Sequence, residues 1–232
     1  MRTTSPRSVY ASNSDALLAV RPRSKARAIL GILLLCAVAV HTSASDVQVL
    51  VKDQTGRPIE DAIVWAEVSR EMKPAPIEVE IVQKKRQFLP LVTVIPVGSV
   101  VRFPNWDNVQ HHVYSFSAAK TFDIPLYIGE SPRAIEFETP GIVTLGCNIH
   151  DWMAAYILVL DTAAFARTGA NGIAVLRNLP AEPISVFGWC PRLRGPPVKS
   201  DVQPGQSSAQ LAMKLRPAFL RTPPDDRGGG YR

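Results

Sequence analysis

The sequence is poor in the residues and motifs on which most enzymatic sites depend. Its 232 residues include only 3 cysteines and 4 histidines. It lacks the G-x-S-x-G pattern of serine hydrolases, the phosphate-binding P-loop and the H-E-x-x-H pattern of zinc proteases. It also lacks a His-rich set for a multicopper or oxygen-activating cluster. These absences favour a protein that is not an enzyme.

The sequence also has no long apolar run that would span a bilayer comfortably. Residues 28–40 form an apolar run of 13 residues, which suits the hydrophobic region of a signal peptide better than a transmembrane helix. The run is preceded by the basic residues Arg21, Arg23, Lys25 and Arg27, and it is followed by small residues at 42–44. We therefore expect residues 1–45 to be a signal peptide that exports the protein to the periplasm, with an uncleaved anchor as the alternative.

The excess of positive charge lies mainly in this leader. Residues 1–45 carry six Lys or Arg and one Asp, a net charge of +5, whereas the whole chain carries +6. The exported part is therefore left with about +1, which gives no support to nucleic-acid binding. We expect no nucleic-acid partner, and no membrane insertion after the signal peptide is removed.

Short Val- and Ile-rich runs, separated by Pro and Gly, fill the remaining chain, and no amphipathic helix of useful length is present. Between residues 77 and 160 seven such runs predict an antiparallel sandwich or barrel: Ile77–Val82, Val92–Ile95, Val100–Phe103, His111–Ser115, Ile135–Glu138, Ile142–Leu145 and Ala155–Leu160. Outside this region we predict strands at Val47–Val51, Ala62–Val68, Ala174–Arg177, Ile184–Phe187 and Ala209–Leu215, with a short turn at Ala163–Arg167. Residues 216–232, rich in Gly, Pro and charge, predict a disordered tail.

One stretch concentrates soft metal ligands. Cys147, His150 and Met153 follow a C-x-x-H-x-x-M spacing, and thiolate, imidazole and thioether are ligands that suit copper. A site with two His, one Cys and an axial Met needs a second imidazole. Because His41 lies in the expected leader, that ligand must be His111 or His112. Neighbouring residues of a strand face opposite sides of a sheet, so we expect only one of the two to bind.

Polar and aromatic residues near these ligands are candidates for orienting them or for forming the rim of the site. They are Asn105, Asp107, Asn148 and Trp152. Zinc is the rival metal, since Cys and His also bind zinc, but Met is a poor zinc ligand. A Cys147–Cys190 disulfide is a second alternative in an exported protein. Copper binding requires Cys147 as a free thiolate, so we expect the two cysteines not to be joined.

Four segments of the central region resemble the cupredoxins, in particular the plastocyanin-like methylamine utilisation proteins. They are Arg86–Pro90, Val97–Asp107, His111–Ser117 and Pro140–Met153. The resemblance implies a Greek-key β-sandwich over residues 73–160 with a mononuclear type 1 copper site. The first ligand of that family stands typically in His-Asn-Val at the start of a strand, which assigns the role to His111 beside Cys147, His150 and Met153. His112 stands where Asn is common, and two residues separate His150 from Met153 where the plastocyanin pattern has four.

A second resemblance flanks the first. The patterns at 49–64 and 168–181 are similar to the opening and the later half of carboxypeptidase-regulatory-like β-sandwiches. We therefore expect residues 46–72 and 161–215 to form one small sandwich, with the cupredoxin unit inserted in one of its loops. Insertions succeed at exposed loop tips, and residues 46–72 are too few to form a core alone.

These features predict an all-β protein that transfers one electron at a time through copper in the periplasm. Its partners would be redox proteins that dock near the edge formed by His150 and Trp152. Two other classes stay open: a carrier or storage module that binds copper without cycling it, and a non-redox β-sandwich binding or adhesion module.

Overall fold

All regular elements of the computed structural model, which describes residues 45–68 and 73–217, are β-strands. This confirms the all-β prediction. The strands are β1 (Ser45–Asp53), β2 (Ile63–Glu67), β3 (Glu78–Glu80), β4 (Val82–Gln83), β5 (Phe88–Leu89), β6 (Val92–Pro96), β7 (Ser99–Arg102), β8 (His111–Ser117), β9 (Lys120–Tyr127), β10 (Ile135–Phe137), β11 (Gly141–Gly146), β12 (Ala154–Leu160), β13 (Phe165–Arg167), β14 (Ile173–Leu179), β15 (Ile184–Trp189), β16 (Val198–Val202) and β17 (Ser208–Met213).

Several sequence predictions lie outside the described residues. They are the signal peptide as far as residue 44 and the tail from residue 218 onward. Within the part that the structure describes, no helix is long and apolar enough to cross a membrane.

The central region is a sandwich of two main sheets. One sheet has the strand order β6-β12-β11-β8-β9, and the other has the order β10-β7-β3. Side chains from both sheets, including Phe103, Phe137, Leu145 and Ile157, are buried in one core between them. The two-residue strands β4 and β5 form a separate small hairpin.

The flanking region forms two further sheets. Strand β1 pairs with β14 and β17, and strand β2 pairs with β13 and β15. These strands enclose a second core that includes Val49, Val64, Leu176 and Leu211. The strands before the central sandwich therefore pair with strands after it. The division of the chain into a host domain and an inserted domain stays a prediction.

Strand β12 contributes to both cores. Ile157 and Val159 lie in the central core, whereas Leu158 and Leu160 lie in the flanking core. Tyr156 also faces the flanking side, where its ring centroid is 5.2 Å from that of Trp189. Because successive side chains of a strand point to opposite faces, burial on both faces requires the unbroken apolar run found here.

The structure differs from the sequence prediction at strands with weak signals. Strand β9 was not predicted, because Asp123 and Pro125 interrupt its apolar residues. It lies at the edge of its sheet, where a proline is tolerated. The turn predicted at Ala163–Arg167 is wrong in its second half, since Phe165–Arg167 is strand β13 paired with β2. Strand β16, Val198–Val202, was also missed because charged and polar residues dominate it.

Truncating Leu158 should destabilise the protein through the flanking core. Leu158→Ala removes a side chain that is 0% exposed, and such changes cost about 2–5 kcal/mol because a cavity remains. The control Leu126→Ala truncates a leucine that is 46% exposed, and it should cost much less. Denaturant unfolding followed by fluorescence measures both. Equal midpoints for the two variants would contradict this placement of Leu158.

Candidate metal centre

Three strand ends bring the predicted ligands together. Strand β11 runs antiparallel to both of its neighbours, and its last residue, Gly146, is paired with Tyr114 of β8 and Ala154 of β12. The start of β8, the end of β11 and the start of β12 therefore lie at the same end of the sheet. His111 opens β8, Cys147 directly follows β11, and the loop to β12 carries the remaining predicted ligands.

The donor atoms of three of these residues converge. The Nδ1 atoms of His111 and His150 are 3.1 Å apart, and Cys147 Sγ lies 3.9 Å from His150 Nδ1. All three donor atoms lie within 4.8 Å of one another. His111 and Cys147 are buried, whereas His150 is half-buried. Two imidazoles and one thiolate in this arrangement fit a borderline or soft metal ion such as copper or zinc.

Met153 lies at the end of the same loop. Its side chain is 2% exposed and belongs to the same core cluster as Cys147. Its backbone N–H donates to the carbonyl of His150 at 2.9 Å, which fixes the last turn before β12. Both Cys147 and Met153 also line a groove of about 510 Å³. A thioether among the nearby side chains makes the donor set softer and favours copper over zinc.

Asp107 holds the far nitrogen of His111. Its Oδ2 lies 2.8 Å from His111 Nε2, so Nδ1 is left to face Cys147 and His150. The same carboxylate accepts the backbone N–H groups of Lys85 at 2.6 Å and Arg86 at 2.7 Å. Burial raises the pKa of Asp107, but these hydrogen bonds outweigh burial and hold that pKa below its ordinary value. A carboxylate behind a histidine fixes the ring orientation and tautomer of a metal ligand.

The β4–β5 hairpin joins the two loops that carry the histidines. Its tip includes Lys85 and Arg86, whose φ values are 54° and 55°. Backbone N–H groups there bind Asp107, while the carbonyl of Arg86 accepts the indole N–H of Trp152 at 3.1 Å. The Trp152 ring lies 5.2 Å from the ring of His150. The resemblance to cupredoxins covers Arg86–Pro90 but gives this hairpin no role. In the sequence the hairpin is marked only by the polar residues K-K-R-Q between two short apolar runs.

Asn105 organises the backbone before His111. Its buried side-chain amide donates to the carbonyls of Val109 and Tyr127, both at 2.9 Å. Its Oδ1 accepts the backbone N–H of Asp107 at 3.0 Å. Asn105 therefore fixes the loop that presents the Asp107 carboxylate.

Sequence reasoning missed two buried polar side chains beneath this loop. Gln83 Nε2 donates to the carbonyl of Phe103 at 2.8 Å, and it lies next to the hydroxyl of Tyr127. Tyr127 also donates to the Phe103 carbonyl. Burial raises the pKa of Tyr127 to about 12, so its hydroxyl stays protonated as a donor. Neither residue belongs to a ligand motif, so only their unusual burial identifies them.

Two other predicted residues lie away from the converging donor atoms. His112 faces the opposite side of β8, where its Nε2 lies 2.9 Å from Asp123 Oδ1 and its ring lies 5.3 Å from that of Tyr114. Asn148 is exposed and lines the groove beside Cys147. The alternation of β8 thus separates the two adjacent imidazoles, one inside and one outside.

Burial and mutual contacts shift the pKa values of all three converging residues. Burial raises the pKa of Cys147, but hydrogen bonds from the His111 side chain and from nearby backbone N–H groups outweigh it, so this pKa lies below its ordinary value. Burial lowers the pKa of His111, yet Cys147 and Asp107 raise it above the ordinary value. Burial and the neighbouring His111 lower the pKa of His150. A metal cation bound here would compete with protons for Cys147 and for both imidazoles, so metal affinity should depend on pH.

The second cysteine lies in the other core. Both Cys147 and Cys190 are free thiols among the described residues. Cys190 is buried in the flanking core, with Sγ 4.0 Å from the Sδ of Met213. Burial raises the pKa of Cys190. It behaves as a small apolar side chain and takes no part in the centre around Cys147.

Comparison with known proteins finds similarity only among solved structures. No protein-family model matches the sequence, and no curated protein matches it. A purple cupredoxin from Nitrosopumilus maritimus is 24% identical over 35% of this chain and 99% of its own, with a TM-score of 0.32. Amicyanin from Paracoccus versutus is 20% identical over 44% of this chain and 100% of its own, with a TM-score of 0.32. A copper-containing nitrite reductase from Thermus scotoductus SA-01 is 27% identical over 38% of this chain and 23% of its own, with a TM-score of 0.33.

In metal-free protein the two thiols should ionise in separate steps. Cys147 should form a thiolate below the ordinary thiol pKa, and Cys190 above it, for the reasons given above. Because the Cys147 pKa is depressed by folding, its contribution to stability is present above the unfolded pKa and is lost as pH falls through the folded pKa. Thiolate absorbance in the ultraviolet measures both steps. Cys147→Ser should remove the lower step and Cys190→Ser the upper one; a single step at the ordinary pKa would contradict the assignment.

Proposed function

We propose that this protein is a mononuclear, type 1 copper protein that carries single electrons between redox proteins. The observation that carries the proposal is the convergence of one donor atom each from His111, Cys147 and His150, all within 4.8 Å of one another. Met153 is the proposed axial ligand. Copper, when bound, supplies a one-electron Cu(I)/Cu(II) couple. The role is that of an electron carrier, with no substrate to transform.

The residues around the donor atoms support this role because they hold the ligands in fixed positions. His111 is held from behind by Asp107, whose carboxylate is itself fixed by two backbone N–H groups. Cys147 accepts backbone hydrogen bonds and lies in an apolar core. Ligands held in this way need little rearrangement between two oxidation states. Burial of the sulfur and its hydrogen bonds set the reduction potential.

The route for electrons follows from the exposure of the ligands. His150 is half-buried, while Cys147 and His111 are buried. An imidazole that reaches the surface beside Trp152 gives a docked partner close approach to the metal. We therefore place the exchange of electrons at the edge formed by His150 and Trp152.

We also propose the family, the location and the domain architecture that the sequence predicted. The protein would be a cupredoxin of the plastocyanin-like, methylamine utilisation type, exported to the periplasm by residues 1–45. Residues 46–72 and 161–215 would form one small β-sandwich into which residues 73–160 are inserted. The pairing of β1 and β2 with β13, β14, β15 and β17 supports this architecture.

Copper-loaded mature protein should bind one copper and show strong visible absorption from charge transfer between the Cys147 thiolate and Cu(II). Cys147→Ser should abolish this band, because a hydroxyl does not replace the soft thiolate. Met153→Leu should keep copper bound and raise the reduction potential. Absorption spectroscopy and voltammetry measure these changes. Tight Cu(I) binding without reversible cycling would favour a carrier or storage module, and a coloured Cys147→Ser protein would overturn the ligand assignment.

The adjacent histidines provide a matched pair of variants. His111→Ala removes an imidazole whose Nδ1 faces the other donor atoms, so the charge-transfer band should be lost or strongly weakened. His112→Ala removes an imidazole that bonds Asp123 on the outer face, so the band should change little. Copper titration of both variants, followed by absorption, tests the difference. The reverse order of damage would move the ligand to His112.

A further inference from the structure

A cluster of positive charge stands at the rim of the centre. Lys84, Lys85 and Arg86 form the longest run of like charges in the sequence, and they occupy the tip of the β4–β5 hairpin. We call these three residues the cationic tip. The described residues carry 16 Lys or Arg and 16 Asp or Glu in total. Without the tip the described residues carry 13 Lys or Arg against 16 Asp or Glu, so the positive charge of the tip is a local feature.

The cationic tip is attached directly to the centre. The backbone N–H of Lys85 donates to Asp107 at 2.6 Å, and Asp107 in turn bonds the ring of His111 at 2.8 Å. On its other side the carbonyl of Arg86 holds the indole of Trp152, which lies beside His150. The tip is thus connected to the His111 ring by two hydrogen bonds through Asp107. It is connected to the His150 ring by one hydrogen bond and one ring contact through Trp152.

The lysines of the tip are not neutralised by carboxylates. Among residues 45–68 and 73–217, neither Lys84 nor Lys85 forms an ion pair, and both are exposed. Lys84 instead lies with its Nζ 5.4 Å from the ring centroid of Trp106. The carboxylate of Asp107, which the hairpin backbone contacts, is occupied by backbone N–H groups and His111. The charges of both lysines therefore remain available to a partner.

Exposed apolar side chains accompany these charges. Trp106, in the loop before His111, is 59% exposed, and Ile149, next to His150, is 46% exposed. Tryptophan and arginine are enriched in protein interfaces, where an apolar centre is surrounded by polar groups. This region thus combines apolar contact area with the exposed charges of Lys84 and Lys85.

We infer that this surface docks a redox protein whose contact face is acidic, with the cationic tip steering the encounter. The inference rests on the proposed copper function and adds the charge of the partner to it. Opposite charges attract partners over about a Debye length, roughly 10 Å at 0.1 M salt. Such steering raises association rates and makes them fall with ionic strength. An acidic face would place its carboxylates on Lys84 and Lys85 while its apolar centre covers Trp106 and the edge of His150.

Oxidation of the Cu(I) protein by small complexes of opposite charge tests the steering. Hexacyanoferrate(III), an anion, takes one electron from Cu(I), and the tris(phenanthroline)cobalt(III) cation takes one in a parallel reaction. The double variant Lys84→Gln/Lys85→Gln should slow the anionic reaction by roughly threefold or more and leave the cationic reaction unchanged or faster. Lys214→Gln, an exposed lysine in the flanking region, is the matched control and should change neither rate.

The outcomes separate the two proposals. If the charge-transfer band is intact but the double variant and Lys214→Gln change the rate with hexacyanoferrate(III) equally, the docking inference is wrong and the copper function stands. Loss of the band in the parent protein would overturn the copper function and the inference with it.

A binding measurement that requires no copper adds an independent readout. A polyglutamate peptide titrated into isotopically labelled protein should shift the backbone NMR signals of 84–86, 106 and 149–152, and polylysine should not. Shifts elsewhere, or none, would contradict an acidic partner. Vesicles rich in phosphatidylglycerol provide the competing test: binding to them in place of polyglutamate would assign the surface to an anionic membrane instead.

Discussion

The carboxylate of Asp107 is the interaction on which the rest of the centre depends. It accepts two backbone N–H groups from the β4–β5 hairpin and bonds the ring of His111. One side chain therefore joins segments that are about twenty residues apart and fixes which nitrogen of His111 faces Cys147. Asp107 is partly buried, and removing a carboxylate from water is costly unless hydrogen bonds replace the lost hydration, so the hairpin and the histidine position each other.

A close contact on the outer face sets the position of Cys147. A Cβ atom at Gly146 would lie 2.7 Å from the ring of Tyr114, so no side chain fits there without displacing that ring. The ring of Tyr114 lies in turn between those of His112 and Phe116, with centroid distances of 5.3 Å and 5.1 Å and tilted ring planes. This row of outward rings covers the strand just before the thiolate. The glycine preceding Cys147 is thus a packing requirement of β8 and β11.

The proposed ligands were more predictable than the residues that hold them. Cys147, His150 and Met153 share a local spacing, and strand alternation reduces the choice between His111 and His112 to one face of β8. By contrast, Asp107 accepts hydrogen bonds from the β4–β5 hairpin, and the sequence of that hairpin indicates only a polar turn. Gln83 and Tyr127 contact each other through the fold and share no motif. The strands that were missed, such as β9, are edge strands in which polar residues and proline weaken the alternating signal.

The shared strand β12 links the centre to the flanking region. The loop that carries His150 ends at Met153, directly before β12, and side chains of that strand are buried in both cores. A strand fixed on both faces moves little, because displacement would disturb two packed interiors at once. The end of the ligand loop is therefore anchored from two sides. The proposed electron carrier would need ligands that keep their positions between oxidation states. The flanking sheets supply none of the proposed ligands, but they would contribute rigidity to the centre.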